Sequence, residues 1–164
     1  DFVINSLALV SNNIRPKLII VGNMSSEKEK CFLTDLAKAK GVSLEMKFLI
    51  SDDELVTLYN EAKAVVYPPL MEPFGLVPLE AMACGTPVIG VREGGIRETI
   101  VDGITGILID RDERECAQAL TKLVTDEELA KNMGEAGRKY VCEKWSWESC
   151  TDRLEENFKK VLKK

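Results

Sequence analysis

The residues best suited to chemistry lie in one stretch, Glu72-Pro73-Phe74-Gly75-Leu76-Val77-Pro78-Leu79-Glu80-Ala81-Met82-Ala83-Cys84-Gly85-Thr86-Pro87. Gly75 lets the backbone approach a ligand closely, and the pattern predicts a helix over 75–84. The free amides of its first turn, with the helix dipole, make an anion site suited to a phosphate. Pro78 falls in that turn, where its missing N–H costs little. On a helix turning about 100° per residue, Leu76, Leu79 and Ala83 form an apolar stripe, and Glu80 falls inside it. A carboxylate buried there needs partners, because leaving it unpaired costs on the order of several kcal/mol. Sugar hydroxyls would serve, since an ionised carboxylate only accepts; so would a backbone amide or a lysine within the fold. Glu72 sits in the preceding loop, where it can project into a crevice or simply face solvent. Gly94-Gly95, ahead of Ile96-Arg97-Glu98-Thr99, offers two accessible N–H groups near the same crevice, or equally a tight structural turn.

A sheet must hold this stretch in place, and the flanking sequence provides one. Lys17-Leu18-Ile19-Ile20-Val21-Gly22 is a continuous apolar run ended by glycine, the pattern of a strand buried on both faces. Residues 26–40 read as a helix stopped by Gly41, and residues 42–50 as a strand. Ser51-Asp52-Asp53-Glu54 starts the next helix, which leads into a strand at Ala64-Val65-Val66-Tyr67 ended by Pro68 and Pro69. Pro87-Val88-Ile89-Gly90-Val91 and Gly106-Ile107-Leu108-Ile109 are further strands. From Asp112 onward the pattern is helical, with breaks near Asp126 and Trp145. Alternation of this kind predicts an α/β, doubly wound, Rossmann-like parallel sheet with right-handed crossovers. In such sheets ligands bind beyond the carboxyl ends of the strands, which is where Glu72 and Glu80 would lie.

The chain has 164 residues, 22 Lys+Arg against 27 Asp+Glu, for a net charge of −5. The length fits one domain spanning residues 1–164. Its acidic balance argues against nucleic acid as a partner, since phosphate-backbone binding runs on clustered cations. There is no histidine, so Ser–His, Cys–His and His–metal chemistry would need another chain. Cys31, Cys84, Cys116, Cys142 and Cys150 form no metal-binding spacing and read as free, mostly buried thiols in a reducing compartment. No apolar run suggests a membrane span and no signal peptide opens the chain, so a soluble, cytoplasmic protein is expected. Residues 1–10 read as a helix with Phe2, Leu9 and Val10 on one face with Ser6, and Val3 and Leu7 close by. That helix starts with hardly any lead-in, the expectation being a fragment of a longer protein. Lys159, Lys160, Lys163 and Lys164 make a basic tail that reads as a solvated helix end rather than a membrane or partner attachment.

The stretch from Glu72 to Pro87 resembles the signature of family 4 retaining glycosyltransferases, which have the GT-B fold and carry two glutamates separated by seven residues. Glu93-Gly94-Gly95-Ile96-Arg97-Glu98 is similar to the family's next element, although Arg97 stands where proline is usual. Val101-Asp102-Gly103-Ile104-Thr105-Gly106-Ile107-Leu108 and Trp145-Ser146-Trp147 match as well, so the resemblance runs along nearly the whole chain. It implies the C-terminal domain that binds a nucleotide-sugar donor, with a hexose transferred from a nucleoside diphosphate to an acceptor. Carried over, Glu80 would hold the ribose hydroxyls and Glu72, the residue closest to catalysis, the hydroxyls of the donor sugar. The backbone at Phe74, Gly75 and Leu76 would hold sugar and diphosphate, with Gly94 and Gly95 shaping the pocket. The base would lie beside Leu49, Ile50 and Ser51. Neither a cofactor nor a bound metal is expected, because positive charge and amides stabilise the leaving diphosphate.

The family's domain opens with a strand, then an arginine and a lysine that clamp the diphosphate, and none of the three is present here. Nor is the N-terminal domain that holds the acceptor. The expectation is weak donor binding and no transfer by this chain alone, with peripheral membrane association open to the complete enzyme. The strands at 17–22 and 64–67 would then pair directly or leave a gap. Two other readings stand beside this one. The domain could be a non-catalytic nucleotide or nucleotide-sugar binding module of the same fold. It could also be a phospho-receiver or flavodoxin-like domain, although the strands at 17–22 and 64–67 end in Gly22-Asn23 and Tyr67-Pro68 rather than in an aspartate.

Overall fold

The computed structural model describes residues 1–24 and 26–162, and strands and helices alternate along it. Its first half runs α1 (Phe2–Leu9), β1 (Leu18–Gly22), α2 (Glu27–Lys40), β2 (Leu44–Phe48), α3 (Asp52–Glu61) and β3 (Val65–Tyr67). Then come α4 (Leu76–Ala83), β4 (Val88–Val91), α5 (Ile96–Thr99) and β5 (Gly106–Ile109). The chain ends in α6 (Glu113–Thr125), α7 (Glu127–Lys144) and α8 (Trp147–Leu162). Local chemistry sets the boundaries. Ser26 and Glu29 form a reciprocal capping box at the start of α2, and Gly41, at φ 65°, ends it. The side chains of Ser51, Asp112 and Asp126 accept backbone N–H groups at the starts of α3, α6 and α7. Lys163 and Lys164, half of the expected basic tail, lie outside the described residues.

Every strand pair is parallel, in two separate ladders. β1 pairs with β2, Leu18 opposite Leu44. β4 lies between β3 and β5, with Val88 opposite both Val65 and Gly106. Among the described residues no pairing joins β1 to β3, so of the two expected outcomes for these strands the structure takes the gap.

Burial is concentrated around β4, whose four residues are all buried. Successive side chains alternate between faces. Ile89 and Val91 join Ile4 and Leu7 of α1 and Leu120 and Leu123 of α6 on one side. Val88 joins Leu79, Met82, Ile96 and Ile100 on the other. Three expectations need correction. β1 is not buried on both faces: Leu18 packs with Leu33, Leu36 and Leu44, but Ile19 and Val21 are 38% and 40% exposed on the open side. On α1, Ser6, Leu7 and Val10 face inward as expected, but Ile4 joins them and Leu9 points outward, because α6 lies along the Ile4–Leu7 side. The five cysteines are free, but only Cys116 is buried. α8 has no buried residue and leaves Trp147, Leu154, Phe158 and Val161 exposed. No helix among the described residues is long and apolar enough to cross a membrane.

Candidate donor site at the strand ends

Glu72 lies on the loop that leaves the carboxyl end of β3 and turns into α4. Its Oε1 accepts the N–H groups of Phe74 and Gly75 at 3.3 and 3.1 Å, and its Oε2 accepts the Tyr67 hydroxyl at 3.1 Å. These two N–H groups, just ahead of the first turn of α4, are thus taken by the loop's own carboxylate, which sits on the positive end of the helix. Gly75, the N-cap, adopts φ 92°, a conformation that favours glycine, and a Cβ there would also press on the Ile96 terminal methyl at 2.6 Å. The Phe74 ring packs edge-on against Trp145, centroids 5.2 Å apart.

Gly94 and Gly95 press against the same loop. A Cβ on Gly94 would fall 2.2 Å from the Glu72 carbonyl oxygen, and one on Gly95 the same distance from that of Pro73. The Gly95 N–H donates to the Glu72 carbonyl at 2.9 Å. The pair therefore meets the loop by close backbone approach, and one of its two N–H groups is committed to it. Arg111 braces the loop from outside. Its Nε and Nη2 meet Glu93 Oε1 and Oε2 at 2.9 and 2.8 Å, while Nη1 and Nη2 donate to the carbonyls of Pro68 and Pro69. The Glu93 carboxylate holds the Arg111 guanidinium above its ordinary pKa, and the Arg111 guanidinium holds the Glu93 carboxyl below its own. Sequence reasoning missed this strut. Its signal is register: Val91 pairs with Ile109, which places Glu93 and Arg111 each two residues beyond the ladder.

Glu80 departs from expectation. It is exposed, not enclosed in an apolar stripe. The buried residues of α4 are Pro78, Leu79, Ala81 and Met82. α7 packs directly on this helix, with Gly137 against Met82 and Gly134 against the Gly85 carbonyl. That leaves an open strip of Leu76, Glu80 and Ala83, one face at i, i+4, i+7. The partner of Glu80 is neither an amide nor a lysine. The Tyr59 hydroxyl of α3 donates to its Oε2 at 3.0 Å. Burial, then the charge of Glu80, pushes the Tyr59 phenol well above its ordinary pKa. Burial and the bond to Glu72 push Tyr67 up as well. Both phenols thus stay protonated and donating at neutral pH. Neither tyrosine stood out in the sequence, although a phenol at the end of a half-buried strand needs a polar partner.

Leu49, Ile50 and Ser51 occupy the carboxyl end of β2, in the other ladder. Leu49 is 79% exposed at φ 54°, an unusual conformation for a branched side chain, and its N–H donates to Gly22. The Ser51 hydroxyl caps α3 by accepting the Glu54 N–H at 3.2 Å. No hydrogen bond joins these three described residues to Glu72 or Glu80; the link is α3, capped at one end by Ser51 and carrying Tyr59 to Glu80 near the other. The arrangement presents two carboxylates, each fixed by one phenol, with remaining lone pairs for hydroxyl donors. It contains no histidine base.

Residues 1–140 match the family described as "Glycosyl transferases group 1". The chain is 35% identical over 151 residues to D-inositol 3-phosphate glycosyltransferase of Corynebacterium urealyticum, covering 88% of this chain and 35% of that protein. It thus spans about a third of that relative's length. It superposes on sucrose-phosphate synthase from Thermosynechococcus elongatus with a TM-score of 0.80 at 27% identity, covering 99% of this chain and 43% of that one. A complex of Anabaena Alr3699/HepE with UDP-glucose superposes with a TM-score of 0.83 at 20% identity, over 97% and 44% of the two chains, a likeness of fold.

Proposed function

The chain belongs to the group 1 glycosyl transferases, and from that footing we propose that it is the donor-binding domain of a retaining, family 4 enzyme that moves a hexose from a nucleoside diphosphate sugar to an acceptor. The observation that carries this reading is the pair of carboxylates at the strand ends, each pinned by a phenol and each with at least one lone pair to spare. Glu80, on the open strip of α4, takes the ribose hydroxyls. Glu72 takes a hydroxyl of the sugar. Leu49, Ile50 and Ser51 lie by the base, where the exposed Leu49 offers an apolar surface to a ring. Because Glu72 occupies the Phe74 and Gly75 amides, contact with the diphosphate falls to the next N–H groups of the first turn, those of Leu76 and Val77.

The same reading assigns acceptor binding to a second domain of a longer protein, and the gap between β1 and β3 to the strand that opens the family's donor domain. Transfer proceeds without a metal, the leaving diphosphate being stabilised by amides and by cations from beyond this chain. Lys159 pairs with Glu155 at 2.7 Å, which suits a solvated helix end. The test is transfer by the complete enzyme, followed by NMR of the product's anomeric configuration. The reading predicts retention of configuration, no loss of rate in EDTA, and a Glu72→Gln variant about a hundredfold slower. An inverted product would refute the retaining assignment. Donor binding without transfer to any acceptor would make the domain a binding module.

A further inference from the structure

We propose that Tyr67 is the positioning residue that fixes Glu72 so that its carboxylate presents a single free acceptor to a donor-sugar hydroxyl; this rests on the donor-site reading above. The argument starts from the carboxylate's capacity. An ionised carboxylate has about four lone-pair directions. On Glu72, Oε1 spends two on Phe74 and Gly75, and Oε2 spends one on Tyr67. One direction on Oε2 remains. Two amides on one oxygen alone would leave the group free to swing about its terminal torsion, which is broad for glutamate. A third bond, to the other oxygen and from a different element, fixes the plane.

Tyr67 is well placed to supply that bond. It is the last residue of β3, in register with Gly90 of the fully buried strand β4, which holds its backbone in place. The loop it serves is held independently by the Gly95 N–H on the Glu72 carbonyl and by Arg111 on Pro68 and Pro69. The loop's backbone is therefore held at Glu72, Pro68 and Pro69 without the phenol. Burial and the bond to Glu72 raise its pKa, which keeps the O–H in place as a donor. Tyr59 does the same for Glu80 from α3, but there only one oxygen is held, as suits a residue meeting a flexible ribose.

Tyr67→Phe keeps the ring and removes only the donor, and two measurements read the result. In amide hydrogen exchange, the Phe74 and Gly75 N–H groups should lose about tenfold in protection while the Gly95 N–H, which reports the loop backbone, is unchanged. In titration with UDP, GDP and ADP and with their glucose and mannose conjugates, affinity for the bare nucleotide should hold. The extra affinity contributed by the sugar should fall about tenfold. Unchanged exchange at Phe74 and Gly75 would overturn the proposal, as would an undiminished sugar contribution. Equal loss for nucleotide and conjugate, with Gly95 also deprotected, would make Tyr67 a structural residue and overturn it too. If the unaltered chain gains nothing from any sugar over its nucleotide, the donor-site reading fails, and the presentation of a free acceptor to sugar with it; the exchange experiment then still decides whether Tyr67 holds Glu72.

Discussion

β1 and β4 carry similar apolar runs, Leu18-Ile19-Ile20-Val21 and Val88-Ile89-Gly90-Val91, in very different surroundings. β4 is buried on both faces, with neighbouring strands on both edges. β1 has one ladder partner and turns Ile19 and Val21 to an open side. The proposed site divides along the same line. Glu72 follows β3, Glu93 follows β4 and Arg111 follows β5, so the sugar end we propose hangs on the dense ladder. Leu49 follows β2, so the base end we propose hangs on the loose one. On that proposal the groups that need the most exact placement are anchored where packing is tightest, and the surface offered to a flat ring is anchored where it is slack.

The contrast can be broken most forcefully in the dense ladder. Ile89→Ala removes a fully buried side chain shared by β4, α1 and α6, and should cost about 2–5 kcal/mol in urea unfolding. Next comes the strut: Arg111→Ala strips Glu93 and two carbonyls of their donor and should cost about 1–2 kcal/mol. The same change should speed exchange of the Gly95 N–H, separating it from Tyr67→Phe. A pH series sharpens the account at the far edge of the ladder. Burial alone would raise the Asp102 carboxyl, but the Leu108 N–H and Arg92 outweigh it and hold the carboxyl below its ordinary pKa. Its contribution is therefore complete above the ordinary carboxylate pKa and is lost as pH falls below about 4. Asp102→Asn should flatten the acid limb of the stability curve. Ile19→Ala in the loose ladder should matter least, about 1 kcal/mol or less. A loss there equal to that of Ile89→Ala would show the ladders to be alike in solution.

Most of the fold was legible because it rests on local signals. Apolar runs, caps and glycine stops placed the five strands and the helix breaks at Asp126 and Trp145 close to where they lie. What failed was orientation. The stripe drawn through Leu76, Leu79 and Ala83 put Glu80 inside, but an eight-residue helix covered by β4 on one side and by α7 on another has no single apolar face. The notch that admits α7, Gly134 and Gly137, lies some fifty residues downstream of α4, beyond the reach of local patterning. In the same way, the covering of β1 depends on what lies beside it rather than on its own residues. At the candidate site, the resemblance singled out the two glutamates, and the freedom that glycine gives the backbone singled out Gly94-Gly95. The Tyr59–Glu80 bond and the Arg111 strut were not legible, because each joins residues through tertiary register: Tyr59 reaches Glu80 across 21 positions, and Arg111 reaches Pro68 across 43. The Tyr67–Glu72 bond spans only 5 positions, but it depends on a loop conformation that residue types alone do not specify.

The central claim, that Glu72 and Glu80 form a nucleotide-sugar site, is tested most directly by calorimetric titration of the chain with UDP, GDP and ADP and their sugar conjugates, without metal, alongside Glu80→Ala. The account predicts that one nucleotide binds, that its sugar conjugate binds more tightly, and that Glu80→Ala weakens both at least tenfold, a change of about 1.4 kcal/mol, while the unfolding midpoint holds. Full affinity in Glu80→Ala with lost stability would contradict it, leaving Glu80 a structural partner of Tyr59.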